Sequence, residues 1–162
     1  MLSYRFFLVG ACLLLLSAQA NAGDSSLVSI DQVKYNTASN SLPQVSPDTS
    51  STLDNRLSVS ISGADNSISG TQTGVSQSTS IELNGNSSSV TMSGDGFANT
   101  TSMSVTGDAN LVSQTQIGSN NSAELKIVGD SNIVTQSQVG DSLSYKLQIN
   151  GSGNSVSVSQ TQ

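Results

Sequence analysis

The sequence predicts an all-β fold: a β-solenoid of five 22-residue strand-turn-strand-turn coils, stacked in cross-β style. Three observations predict it: a glycine at every eleventh position, an alternation in character between successive 11-residue units, and a period of two in the apolar residues between glycines. A helical interpretation fails because no 3.6-residue period is present, and because frequent glycine, serine and threonine disfavour helix.

The first 22 residues are typical of a secretory signal peptide. Arg5 supplies the positive charge, and the apolar run from Phe6 to Leu16 is too short to span a bilayer as a helix. A small-residue cleavage site follows at residues 20–22. Cys12 offers the alternative of a lipoprotein processing site, which the continuation of the apolar run beyond it disfavours.

Residues 23–56 lie outside the repeat register and contain both prolines, Pro43 and Pro47, so we predict a flexible leader. A short apolar patch at residues 27–30 is a candidate strand that covers the first coil. Residues 57–162 form the predicted repeat domain. Its five copies start near Leu57, Thr79, Thr101, Ala123 and Tyr145.

The turns of the predicted solenoid are marked by nine glycines at a spacing of eleven residues. They are Gly63, Gly74, Gly85, Gly96, Gly107, Gly118, Gly129, Gly140 and Gly151. Asparagine often stands three residues later, and we select Asn66, Asn110, Asn121, Asn132 and Asn154 as stacking residues. The Gly-x-x-Asn pattern is turn chemistry, because glycine adopts positive φ and asparagine tolerates the left-handed region.

The two halves of each 22-residue copy predict two different strands. The odd half carries aliphatic residues on one face, as at Val59 and Ile61, whereas the even half carries one aliphatic residue followed by glutamines. The predicted glutamine columns comprise Gln72, Gln114, Gln116, Gln136, Gln138 and Gln160. Equivalent residues stack about 4.8 Å apart in such a fold, so glutamine columns can form amide ladders. The opposite face of the even half is mostly serine and threonine.

Composition excludes several function classes. The chain has no histidine, one cysteine and a formal charge of -6. It therefore lacks the residues of the commonest metal sites and of histidine-assisted nucleophiles, and the clustered basic residues of nucleic-acid binding. Gly-Asp-x-Asn at residues 107–110 and 129–132 is similar to a calcium turn, but calcium-binding β-rolls have a nine-residue period. We predict no catalytic residue, no cofactor and no metal site, and we do not expect an enzyme.

In the glycine, asparagine and glutamine positions of its repeat, the chain resembles curlin, the repeat family of bacterial curli amyloid fibres. The family pattern is Gln-x-Gly-x-x-Asn-x-Ala-x-x-x-Gln, and Gln116 to Ala123 match its first eight positions. In the other phase, Gly107, Asn110 and Gln116 match the glycine, the asparagine and the final glutamine. No copy is complete, and the second departs most, with Ser88 for asparagine and Gly94 for glutamine.

The resemblance implies a subunit secreted across the inner and outer membranes that forms an extracellular fibre at the cell surface. It further implies a role in biofilm matrix, adhesion and aggregation. The implied partners are other copies of the same chain, a related nucleator or major subunit, and an outer-membrane secretion channel. Neither nucleic acid nor a small-molecule substrate is implied.

The residues themselves also favour assembly. The segment Ser155–Gln162 contains no charge and no proline, which predicts an unprotected sheet edge of the kind on which cross-β stacks grow. The alternative is a monomeric β-solenoid that binds a surface, ice or polysaccharide, through its serine and threonine face. A polysaccharide-active enzyme on a solenoid is disfavoured, because the strands offer no large side chains to line a cleft.

Overall fold

The computed structural model describes residues 55–162. The predicted signal peptide, the predicted leader up to residue 54 and the candidate strand at residues 27–30 lie outside the described residues. Ten strands and no helix make up the described part of the chain. The strands are β1 (Arg56–Ser62), β2 (Ser67–Val75), β3 (Ser78–Asn84), β4 (Ser89–Phe97), β5 (Thr100–Thr106), β6 (Leu111–Ser119), β7 (Ser122–Val128), β8 (Ile133–Val139), β9 (Ser144–Asn150) and β10 (Ser155–Thr161).

The strands form two five-stranded parallel sheets. One has the order β1-β3-β5-β7-β9, and the other has the order β2-β4-β6-β8-β10. Every pairing joins residues 22 apart, as Val59 with Ile81 and Val112 with Val134. Each odd strand, its turn, the next even strand and a second turn therefore make one coil. The predicted β-solenoid of five stacked coils is confirmed.

The stacked coils begin slightly before the predicted boundary at Leu57. Strand β1 starts at Arg56, and Asn55 is buried at the corner before it. The Asn55 Nδ2 group donates to the Gly74 carbonyl oxygen at 2.7 Å, and its Oδ1 accepts from the Gln77 amide at 2.9 Å. Residues 55 and 56, assigned above to the leader, thus belong to the first coil.

The core lies between the two sheets and runs the length of the stack. The odd strands contribute three inward columns, as Leu57, Val59 and Ile61 do in the first coil. The even strands contribute one aliphatic column, which includes Ile68 and Val112, and two mixed columns that contain the glutamines. Burial of each such aliphatic side chain contributes roughly 1.5–3 kcal/mol, so stability accumulates as coils are added.

The outer faces of the two sheets differ in charge. The odd strands carry Arg56, Glu82, Glu124, Lys126 and Lys146, whereas the described even strands carry one charged residue, Asp95. The outer face of the even sheet instead presents two columns of hydroxyl side chains, which we call the hydroxyl face. Its members are Ser69, Thr71, Thr91, Ser93, Ser113, Thr115, Thr135, Ser137, Ser157 and Ser159.

Among residues 55–162, no helix has the length and apolar character that crossing a membrane requires.

Candidate assembly site

The inner glutamine column forms a ladder through the last three coils. The Nε2 group of Gln116 donates to Gln138 Oε1 at 2.9 Å, and Gln138 Nε2 donates to Gln160 Oε1 at 2.9 Å. Each amide also donates within its own coil to the backbone, as Gln138 does to the Ser122 carbonyl at 3.3 Å. Gln116 and Gln138 are buried, so these hydrogen bonds are shielded from water. The ladder has a direction: each amide group donates toward the C-terminal end.

Gly94 interrupts the same column between Gln72 and Gln116. Two buried threonines replace the missing hydrogen bonds. Gln72 Nε2 donates to Thr79 Oγ1 at 2.8 Å, and the Thr101 hydroxyl donates to Gln116 Oε1 at 2.7 Å. The amides of Gln72 and Gln116, on either side of Gly94, therefore both have hydrogen-bond partners. Gln72 does not, however, belong to the continuous ladder.

The space that Gly94 leaves is filled by Gln77, which occupies a corner position where the first, third and fourth coils have asparagine. A Cβ atom on Gly94 would overlap Gln77 Oε1. The longer Gln77 side chain reaches the Thr73 and Gly96 carbonyl oxygens with its Nε2 group. The two departures from the repeat pattern are thus complementary.

Gln114 and Gln136 are stacked in a neighbouring column without forming a ladder. Gln114 Nε2 donates to Thr101 Oγ1 at 3.0 Å. Within residues 55–162, Gln114 Oε1 and both polar atoms of the Gln136 amide have no hydrogen-bond partner, although Gln136 is buried. An unsatisfied buried polar group costs about 1–3 kcal/mol. These two glutamines therefore differ from Gln116 and Gln138 in what they contribute.

We accordingly expect opposite effects from one substitution at two neighbouring positions. Gln136→Met should raise the free energy of unfolding by about 1–2 kcal/mol, because it removes an unsatisfied amide and Met92 already occupies this column. Gln138→Met should lower the free energy of unfolding by about 1–3 kcal/mol, because it removes the hydrogen bonds of Gln138 to Gln116 Nε2 and to Gln160 Oε1. Urea denaturation of both variants checks the pair, and equal shifts would contradict the assigned difference.

The asparagines three residues after the glycines lie at the two corners of the coil, where all are buried except Asn154 of the last coil, which is half-buried. Asn66 Oδ1 accepts from the Ser88 amide at 3.0 Å, and Asn66 Nδ2 donates to the Gly85 carbonyl at 2.6 Å. Asn121 makes the same two contacts one corner away, with Leu143 and Gly140. Asn66 and Asn121 therefore connect their coils to the next through both ends of the amide.

The remaining selected asparagines lie in the column of Asn66. Asn110, Asn132 and Asn154 form a side-chain ladder, with Nδ2 to Oδ1 distances of 3.1 and 3.0 Å. Asn99 and Asn55 make equivalent corner contacts but were not among the selected residues. The Gly-x-x-Asn spacing signals Asn99, whereas Asn55 has no glycine three residues before it.

The expected left-handed conformation belongs to the residue before the asparagine. Positive φ values of 54 to 59° occur at Asp65, Ser76, Ser87, Ala98, Ala109, Asn120, Ser131 and Ser142. The asparagine itself is instead needed inside the corner, where its amide satisfies backbone groups of the next coil. The assignment of the left-handed residue to the asparagine was therefore wrong by one position.

The nine turn glycines form two columns, with φ between 110 and 153°. That range is accessible almost only to glycine. At seven of them, Gly63 through Gly129, an added Cβ would overlap the carbonyl oxygen of the equivalent glycine in the following coil. Glycine is thus required at these turns by both conformation and close approach of the backbone.

Acidic residues in the turns also connect coils. Asp108 Oδ1 accepts from the Asn86 amide at 2.7 Å, and Asp130 Oδ1 accepts from the Asp108 amide at 2.8 Å. On the charged outer face, Lys146 Nζ lies 2.8 Å from Glu124 Oε1. Both of those side chains are exposed, so the ion pair contributes little. The turn carboxylates act as acceptors for the backbone of the preceding coil.

The last coil exposes side chains that are buried in the coils below it. Tyr145, Leu147, Val156 and Gln160 are half-buried, whereas Leu57, Val59 and Ile68 of the first coil are buried. Partial burial raises the pKa of the Tyr145 phenol above its ordinary value, so the ring remains neutral at physiological pH. This coil presents an apolar and amide surface along the axis of the stack.

No group of three or more histidine, cysteine or acidic side chains suited to a metal ion occurs in the described residues. No family model, no curated protein and no solved structure matches this chain. The geometry of the columns and the sequence pattern are therefore the basis for inferring the function of this chain.

Proposed function

We propose that this chain is a secreted structural subunit that polymerises into curli-like extracellular amyloid fibres. The observation that carries the proposal is the directed glutamine ladder from Gln116 through Gln138 to Gln160, which ends in the half-exposed last coil. In that ladder each Nε2 group donates to the glutamine of the following coil. A second copy stacked on the last coil would supply the next acceptor.

The 22-residue register makes the last and first coils compatible. Gln160 and Gln72 are separated by four repeat periods, as are Asn154 and Asn66 and the aliphatic residues Ile149 and Ile61. The inward side chains of the first coil are buried in the single chain, so stacking requires that they be uncovered. A copy placed in that state one coil above the last coil would set glutamine on glutamine, asparagine on asparagine and isoleucine on isoleucine. Parallel strands with such stacking give the cross-β arrangement of amyloid fibres.

The wider biological role follows from the resemblance to curlin and belongs to the same proposal. Fibres of this kind would lie outside the cell and serve in biofilm matrix, surface adhesion and aggregation. Their assembly would involve copies of this chain, a related nucleator or major subunit, and an outer-membrane secretion channel. Neither a cofactor nor an enzymatic reaction is part of the proposal.

The alternative is a monomeric solenoid that binds ice or a polysaccharide, and the hydroxyl face favours it. Incubation of residues 23–162 at micromolar concentration and neutral pH separates the two. We expect thioflavin-positive fibres whose diffraction shows spacings near about 4.7 and about 10 Å. A chain that stays monomeric with a β-type circular dichroism spectrum would contradict the fibre and support the alternative.

The contribution of the ladder is tested by three paired substitutions. Gln116→Ala with Gln138→Ala should slow seeded fibre growth several-fold, because Gln160 at the growing end loses the Gln138 donor that fixes the direction of its amide. Gln114→Ala with Gln136→Ala removes the same buried volume without breaking the ladder, and Ser113→Ala with Thr135→Ala changes only the outer face. Equal growth rates for the three variants would contradict the ladder mechanism.

A further inference from the structure

Within residues 55–162, no other element packs against the hydroxyl face, and the face carries little charge. Its strands carry one charged residue, Asp95, whereas the opposite sheet carries five on its strands. Aliphatic side chains border it in the third and fourth coils: Leu111 and Ile133 on one margin, and Ile117 and Val139 on the other. These four are 37 to 49% exposed, and on each margin the two are adjacent in neighbouring coils. Covering this face would remove apolar surface from water and desolvate few charges.

We propose that the occupant of this face is the same face of a second copy, so that fibres of this chain contain two solenoids packed back to back. The proposal rests on the proposed fibre function. The two copies would be related by a two-fold axis parallel to the stack. Both solenoids then grow in the same direction, and each coil faces its equivalent coil.

The sequence of the face is self-complementary under this symmetry. The two-fold axis places the first residue of each even strand opposite the seventh residue of the equivalent strand in the other copy. Leu111 therefore faces Ile117, and Ile133 faces Val139, of the other copy. In the second coil Ser89 faces Asp95, and the hydroxyl can donate to the carboxylate. Asp95 of one copy therefore does not face Asp95 of the other copy.

The central hydroxyl columns are complementary in size as well. In each of the first four coils, one of the two central residues is serine and the other is threonine. The pairs are Ser69 and Thr71, Thr91 and Ser93, Ser113 and Thr115, and Thr135 and Ser137. The two-fold axis sets the serine of one copy against the threonine of the other in all four coils. The two sheets can thus approach evenly, as in a dry interface between paired sheets.

The area of the face explains why pairing should accompany fibre formation. Five coils at about 4.8 Å and strands of seven residues at about 3.3 Å give a face of roughly 24 by 23 Å. Two copies would bury about 1,100 Å² in total, near the lower limit for a specific interface. A single pair is therefore weak, whereas many consecutive pairs along a fibre add their areas. We expect paired fibres and unpaired soluble chains.

Cysteine cross-linking tests the pairing directly, because residues 23–162 contain no cysteine. Fibres grown from an equimolar mixture of Ser113→Cys and Thr115→Cys chains should form disulfide-linked dimers on mild oxidation. Fibres of Ser113→Cys alone should not, since the symmetry separates equivalent cysteines and successive copies lie about 24 Å apart along the axis. A mixture of Ser102→Cys and Ser104→Cys chains, on the charged face, is the matched control and should also remain monomeric.

A second variant reports on fibre mass. Leu111→Lys with Ile133→Lys should halve the mass per unit length of the fibres while leaving them thioflavin-positive, because charges then face the apolar margin of the other copy. Ser80→Lys with Ser102→Lys on the charged face should leave the mass per length unchanged. Absence of fibres from the unmodified chain would overturn the proposed function. Fibres with one solenoid per cross-section, or a hydroxyl face that binds polysaccharide and forms no mixed dimers, would overturn the pairing alone.

Discussion

Replacement of Gly118 by alanine is expected to lower the free energy of unfolding by more than about 4 kcal/mol, a loss seen only when a core or backbone contact fails. Two causes act together. The φ of Gly118 is 117°, which alanine adopts only with strain, and its Cβ would overlap the Gly140 carbonyl oxygen of the next coil. The overlap is with backbone, so no side-chain rotation relieves it. The coils on either side of the turn must separate.

Gly153→Ala is the matched control for this substitution. Gly153 also has positive φ, at 71°, but no atom lies within 4 Å of the position its Cβ would take. Gly153→Ala should lower the free energy of unfolding by only about 1 kcal/mol, which is the ordinary preference of such a position for glycine. Urea denaturation followed by circular dichroism compares the two, and hydrogen exchange should show the Gly118→Ala loss concentrated in the third and fourth coils. Equal destabilisation would mean that conformation alone, without close approach of the coils, requires the glycine.

The fold was predictable from sequence because a parallel solenoid repeats its environment at fixed period. Val59, Ile81, Met103, Leu125 and Leu147 are apolar at one position of the coil because that position faces the core in every coil. Glycines at the same period mark turns that must pass one another closely. Local pattern and global stacking therefore give the same register, and no distant contact is needed to infer it.

What the sequence could not show was how departures from the pattern compensate one another. Gly94 and Gln77 each break the repeat, and the structure shows that one fills the space left by the other. Thr79 follows Leu57 in an inward column of the odd strands, and its hydroxyl is the acceptor that Gly94 does not supply to Gln72. These pairs are separated by 17 and 7 residues and face each other across the core. Periodicity along one column does not reveal contacts between two columns.

Leu143 illustrates a second limit of the pattern. It occupies the corner where Asn99 and Asn121 connect coils, and it receives the Asn121 contact through its own amide. Its side chain, however, has no oxygen to accept from a following coil. A copy stacked on the last coil would therefore gain one corner contact fewer than an internal coil does. The contact between two stacked subunits is thus expected to be weaker than the contact between two coils of one subunit.

The sharpest test of the fibre model is Gly151→Ala, which we expect to reduce elongation at the last coil by tenfold or more. Gly151 occupies the last coil, where the nearest atom to an added Cβ is Asn154 Nδ2 at 3.5 Å. The isolated chain should therefore lose only about 1–3 kcal/mol, through the strain of its φ of 134°. In a stacked fibre the same Cβ would overlap the Gly63 carbonyl oxygen of the next copy, as a Cβ on Gly63 would overlap that of Gly85.

This asymmetry makes the Gly151→Ala chain a terminator. Its first coil is unchanged and should still dock on the last coil of a growing fibre, but its own last coil then blocks the next addition. A small fraction mixed with unmodified chain should shorten fibres in proportion to its share, measured by seeded thioflavin kinetics and by fibre length in electron micrographs. Gly153→Ala chains in the same proportion should leave both unchanged. Fibres of normal length with Gly151→Ala would show that growth does not stack the first coil on the last.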